Sequence, residues 1–219
     1  MSWWNRLRGG KATASSEERL RVVRPTMPGW TEEVGHGDKR VWRNTQGDVL
    51  SLDILPATSL RLPEFSDVTS LQRWSRSLAE DRQGGLIEVR VISGVPLRAV
   101  SLIYKRLQIP AYIFTGSLIV SCDVESYQVW MIVAGETGTT GVREAVVTTE
   151  MYNARKWTTT EEYKRSWRDP YDPTYHGVDS SVLRFVSDDE YYDEQFPEHP
   201  LSRVRRVLSV LPRSIRTNS

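Results

Sequence analysis

Three histidines, His36, His176 and His199, and one cysteine, Cys122, are the side chains of this 219-residue chain best suited to nucleophilic or acid–base chemistry. Nucleophilic catalysis needs a nucleophile, a base and an orienting group to converge in space. No Gly-x-Ser-x-Gly elbow occurs, and Cys122 closes a strand-like run beside Asp123, without the neighbouring cations that stabilise a thiolate. It reads as a small buried hydrophobe. A hydrolase-type site would need a carboxylate such as Glu136 or Asp179 to meet His176 in three dimensions. No catalytic residue is assigned, and a non-enzyme is the expectation.

Metal-binding patterns are equally sparse. No histidine pair stands at helical i, i+4 spacing, no Cys-x-x-Cys exists and no Asp/Asn loop follows the EF-hand, so neither a metal site nor a cofactor is expected. The densest oxygen cluster is Asp188, Asp189, Glu190, Asp193 and Glu194, with Glu198 and His199 nearby. It would collect a divalent cation only if it curled. The simpler reading places these acids in the first turn of a helix capped by Ser187, where they complement the helix dipole. Gly135, Gly138 and Gly141 precede a helical pattern, as in a phosphate cradle, but lack Gly-Lys-Ser/Thr and the Gly-x-Gly-x-x-Gly spacing. They read as a strand-to-helix turn with Thr139 or Thr140 as N-cap.

Charge is better resolved by segment than in total, because 29 Lys+Arg against 28 Asp+Glu leave a net +1. Residues 1–25 hold six basic and two acidic side chains, residues 187–202 hold six acids and no base, and residues 203–219 hold five arginines and no acid. The tail is a sharp dipole that either folds back on itself or exposes two opposite patches. An acidic stretch beside the arginines repels a polyanion, and no RRM, KH or zinc-finger signature occurs, so nucleic acid is not an expected partner. Trp3, Trp4 and Leu7, beside Arg6 and Arg8, form an amphipathic plug too short for stable membrane insertion but suited to a partner's pocket. No apolar run reaches the length of a bilayer span, no secretory leader is recognisable, and one cysteine makes no internal disulfide; a cytoplasmic protein is the expectation.

The elements that would position these groups follow from periodicity. Small polar residues make 1–25 a flexible basic arm. Lys39–Asn44 and Val49–Ile54 are β-rich runs around Gly47, a hairpin. Val68, Leu71, Trp74, Leu78 and Ala79 share one helical face behind a Ser66 or Asp67 cap, ended by Gly84 and Gly85. Strand-like runs follow at 86–92, 97–107, 111–122 and 127–134, with links short enough for antiparallel neighbours. In the third, Tyr112, Phe114, Gly116, Leu118 and Val120 face one way, and the mixed set Ile113, Thr115, Ser117 and Ile119 the other. A helix over 142–153 comes next, then turns with capping-box spellings at Thr159/Glu162 and Ser187/Glu190. A last helix from Pro200 carries the stripe Leu201, Val204, Leu208 and Leu211, flanked by Arg203, Arg205 and Arg206, and stops at Pro212. Trp42, Trp74 and Trp130 belong to the core. The expected class is α+β: an antiparallel sheet of about six strands packed by helices in a core at 26–154, with a helical and turn extension over 155–219 packed on it.

Val41-Trp42 and Val49 to Leu52 in the hairpin, Leu71 to Leu78 in the helix, and Tyr112 to Gly116 leading to Trp130 to Gly135 together resemble the α/β/α sandwich of the PsbP and DcrB-like family. The likeness covers roughly residues 28–154. It implies a non-enzymatic accessory, chaperone-like or assembly protein, with no catalytic set to carry over, while residues 155–219 depart from the family's compact pattern. The expectation is a bacterial-type accessory protein that binds another protein through a sheet face or groove. Its contact residues are expected among Trp3, Trp4, Leu7, Asp188, Asp189, Glu190, Arg203 and Arg206. One alternative is a toxin-neutralising protein whose acids over 188–198 cover a basic active site. The other is a hydrolase-type enzyme whose site assembles only in three dimensions.

Overall fold

The computed structural model describes residues 27–33, 39–92, 98–121 and 125–214. The expected arm with Trp3, Trp4 and Leu7, together with His36 and Cys122, lies outside them.

Among the described residues, seven strands form one antiparallel sheet: β1 (Trp30–Glu33), β2 (Arg40–Asn44), β3 (Val49–Pro56), β4 (Gly84–Ile92), β5 (Ala99–Gln108), β6 (Ala111–Ser121) and β7 (Ser126–Gly135). Their order is β1-β2-β3-β7-β6-β5-β4. The expectation was about six; β1 is the addition, a short strand whose sequence WTEE carries little apolar signal and is held at the edge by pairing with β2. The helices are α1 (Ala57–Leu60), α2 (Val68–Glu80), α3 (Val142–Asn153), α4 (Thr160–Arg165) and α5 (Pro200–Ser214), with three short 3-10 turns between Ser180 and Tyr192.

Period-two alternation sends side chains to two cores, one on each face of the sheet. Trp42, Leu50, Leu52, Phe114, Leu118, Trp130 and Ile132 meet Leu201, Val204, Leu208 and Leu211 of α5 in the first core. Leu55, Leu86, Val100, Leu102, Ile119 and Val129 meet Leu71 and Ala79 of α2 in the second, with Trp74 packed at its margin. The layering is thus helix, sheet, helix, and the mixed face of β6 is covered after all. The chain beyond 155 is part of this architecture, because α5 supplies one wall of the first core. Gly116 permits it: a Cβ there would stand 2.5 Å from Val204 Cγ1 and 2.8 Å from Leu208 Cδ1.

Local chemistry explains most element ends. Asp67 caps α2 by accepting the Ser70 N–H at 2.9 Å, and Thr159 with Glu162 forms the expected capping box of α4. A register shift between Leu86 and Glu88 in β4 turns Ile87 and Glu88 to the α5 side, so Ile87 joins the first core and Glu88 meets Arg205. The outer edge of β4 is closed at one point by Tyr171, whose hydroxyl accepts the Val89 N–H at 2.7 Å and donates to the Val89 carbonyl at 3.2 Å.

Three local expectations are corrected. The N-cap of α3 is Gly141 in the left-handed region (φ 71°), not Thr139 or Thr140, and it bonds through its backbone rather than a side chain. Ser187 does not cap a helix: it is buried, and the chain around it makes 3-10 turns organised by Asp188 accepting the Phe185 N–H and Asp189 accepting the Tyr191 N–H. The last helix runs through Pro212 to Ser214, since a proline in the final turn removes one hydrogen bond while keeping a helical φ.

Candidate functional site

At the end of the sheet where β6 begins and β7 ends, Glu136 follows the last residue of β7. Its carboxylate accepts the Tyr112 N–H at 3.2 Å and the Gly141 N–H at 2.9 Å, tying the β6 start and the glycine turn together. The turn's amides thus serve an internal anion. Gly141 opens α3, which places Arg143 and Glu144 inward, and α5 starts beside them with His199 just ahead of Pro200. The His199 ring packs edge-on against Phe114, 5.2 Å between centroids, and its Nδ1 accepts the Leu201 N–H at 3.3 Å. In the neutral ring that bond puts the proton on Nε2, which lies 3.8 Å from Glu136 Oε1.

These groups border a pocket of about 310 Å³, lined in part by Glu136, Thr139, Val142, Phe196, His199 and Arg203. Glu144 is close to two of the lining groups: one ligand atom from each of Glu136, Glu144 and His199 falls within 4.8 Å of the others. Burial pushes the His199 pKa down to about 3, aided by the Arg143 charge, so the ring is neutral near pH 7. Burial, then the Asp188 charge, raises the Glu144 carboxyl above its usual range. Histidine and acid do meet here, but the histidine is His199. His176 is exposed, and Asp179 caps the turn at Ser181.

Beneath the pocket the acidic and basic blocks neutralise one another. Lys105 Nζ and Asp188 are 2.5 Å apart with both side chains fully buried, and Nζ also sits 4.9 Å from the Trp167 ring centroid. Arg143 donates to Asp193, the Ser202 hydroxyl and the Ser187 and Asp189 carbonyls. Arg205 bridges Glu88 and Asp193, and Arg203 makes two 2.8 Å bonds to Asp48. Such pairs cost desolvation but specify one arrangement of α5 and the 3-10 segment over the sheet.

Asp188 is fully buried in its pair with Lys105, Arg203 is paired with Asp48 and reaches only the pocket wall, and Arg205, expected to flank the apolar stripe of α5, is buried too. Asp189 pairs with Arg184 at 3.1 Å and Glu190 with Arg90 at 2.7 Å, both nearer the surface. Arg206 is exposed and donates to the Pro197 carbonyl. Asp188 and Asp193 of the acidic cluster pair with Lys105, Arg143 and Arg205, so that part of the tail's charge dipole folds back on itself. The sequence reading missed Lys105, Arg143 and Glu144, which sit singly in strand and helix patterns. It also missed an aromatic group in which Trp167 stacks on Phe185 at 4.3 Å beside Trp157 and Tyr163, next to a pocket of about 280 Å³. Apolar side chains surface at the same sheet end: Ile109 is 84% exposed and Leu107 43% at the β5–β6 hairpin, and Val142 is 44% exposed at the start of α3.

No family model matches the chain, and a search of curated proteins finds no match. Among solved structures, a point mutant of the protein Mog1 aligns over 57% of this chain and 75% of its own, at 12% identity and a TM-score of 0.38. Among the described residues no helix is long and apolar enough to cross a membrane.

Proposed function

We propose that the chain is a non-catalytic accessory protein that binds another protein through the end of its sheet, built on a PsbP/DcrB-like sandwich. The observation that carries this reading is the apolar group left outside at that end, Ile109 with Leu107 at the hairpin tip. A large aliphatic side chain at 84% exposure contributes nothing to its own core and is of the kind that fills a partner's pocket. Both sheet faces are occupied by helices, so recognition is assigned to the end of the sheet rather than to a face. The buried cations support the reading as well, because Lys105, Arg143, Arg203 and Arg205 are committed to Asp188, Asp193, Asp48 and Glu88. The toxin-neutralising alternative loses Asp188 and most of Asp193 to the interior and keeps Asp189, Glu190, Glu194 and Glu198 at the surface of the 188–198 stretch, which leaves less charge for steering.

The test is crosslinking in the native cell with the wild-type chain and with Leu107→Ser/Ile109→Ser. The expected result is loss of a discrete partner band with the melting temperature shifted by no more than about 2 °C, as for surface substitutions. The same band recovered at full yield from the double variant would overturn the assignment of the surface. A chain lacking residues 1–25 measures the share of Trp3, Trp4 and Leu7 in the same experiment.

A further inference from the structure

We infer that Glu136, Glu144 and His199 form a binding site for a divalent first-row transition ion, with Zn²⁺ as its representative. One ligand atom from each lies within 4.8 Å of the other two. Two of the groups are unsatisfied: His199 Nε2 and Glu144 Oε2 are buried and have no hydrogen-bond partner. The His199 and Glu136 side chains are only 7% and 6% exposed, so water does not simply solvate them. Orphaned buried polar atoms are costly, and a ligand that takes these two together with the Glu136 carboxylate beside them offsets that cost. The 3.8 Å between His199 Nε2 and Glu136 Oε1 suits two ligands each about 2.0–2.2 Å from one ion.

The donor set selects the ion class. One imidazole with two carboxylates suits zinc and its neighbours, whereas Ca²⁺ and Mg²⁺ take six or more oxygens. The nearby cations do not occupy the site, since Lys105 is committed to Asp188, Arg143 to Asp193 and Arg203 to Asp48. The adjoining pocket gives an entry path and leaves room for further ligands on the ion.

Ligation has a specific consequence for the ring. The Leu201 N–H bonded to Nδ1 keeps the proton on Nε2, where the ion must bind. The ion takes that proton's place, the proton passes to Nδ1, and the Leu201 bond, long at 3.3 Å, opens. The ring's proton count is unchanged and its tautomer is reversed.

The experiment is titration of the full chain with ZnCl₂, read by calorimetry and by long-range ¹H–¹⁵N spectra of the histidines. The expected result is one saturable ion per chain and a change of His199 from the Nε2–H to the Nδ1–H form. Glu144→Gln, which preserves shape, weakens zinc binding by at least about 10-fold. His199→Asn, which can still accept the Leu201 N–H, abolishes it, and His176→Ala, at the exposed histidine, leaves it unchanged. Absence of saturable binding, an unchanged His199 tautomer in zinc, or binding lost with His176 but retained in Glu144→Gln overturns the site. Calorimetry on the purified chain involves no partner, so its outcome is separate from that of the crosslinking experiment.

Discussion

Lys105 is the residue on which the charge network turns, because it is the one ammonium placed by strand alternation on the first-core face of β5, directly beneath Asp188. Both side chains are out of water, so each relies on the other for compensation. Replacing one partner strands the other: Lys105→Met is expected to destabilise the fold by about 3–5 kcal/mol, measured by urea denaturation. Adding Asp188→Leu should return most of that loss, since a buried pair replaced by apolar groups of similar size is often close to neutral. A double variant no more stable than the single one would show that Asp188 acts mainly through the Phe185 N–H it accepts at 2.8 Å. None of this pairing was legible in the sequence. A lysine in a strand pattern reads as a solvent-side residue, and nothing local marks an acid 83 positions later as its partner.

Elements were far more legible than pairs, for a physical reason. Helix and strand periodicities are written over neighbouring residues, so α3 emerges at 142–153, and α2 and β6 within a residue or two of their observed limits. What periodicity does not contain is how closely two elements approach. Gly116 reads only as a small residue on the apolar face of β6, yet it sets the depth at which α5 lies on the sheet. Gly116→Ala is expected to cost about 1–3 kcal/mol through overpacking, and Val204→Ala in the same chain to recover part of it, as thermal unfolding will show. The edge of β4 gives a second case. Tyr171 lies on a turn held by Asp169, which takes two bonds from Arg76 of α2 at 3.0 and 2.8 Å. Tyr171→Phe should remove about 1 kcal/mol, the net worth of an ordinary hydrogen bond, and speed amide exchange at Val89 more than at Leu102 on the neighbouring strand. Equal exchange at Val89 in both proteins would mean that the hydroxyl does not guard that edge.

At the scale of the molecule, the extension expected from residue 155 onward packs on the sheet and completes its first core. Leu201, Val204, Leu208 and Leu211, at 6% exposure or less, lie against Trp130, Leu118 and Phe114, so the sheet's first face is closed only by the last helix. Arg203 and Arg205 then fasten that helix to Asp48 near the start of β3 and to Glu88 in β4, 155 and 117 positions away. Removing α5 would expose a continuous apolar face and leave Asp48, Asp193 and Glu88 without these arginines. A chain ending at residue 198 is therefore expected not to fold as a smaller domain. It should show loss of near-ultraviolet tryptophan signal, dye binding to exposed apolar surface and no cooperative urea transition. In the full chain, tryptophan fluorescence and far-ultraviolet dichroism should report one coincident transition, because Trp42 and Trp130, stacked 5.7 Å apart, sense the same core that α5 completes. A cooperative transition retained by the 198-residue chain would instead make residues 27–154 an independent domain with α5 as an accessory layer.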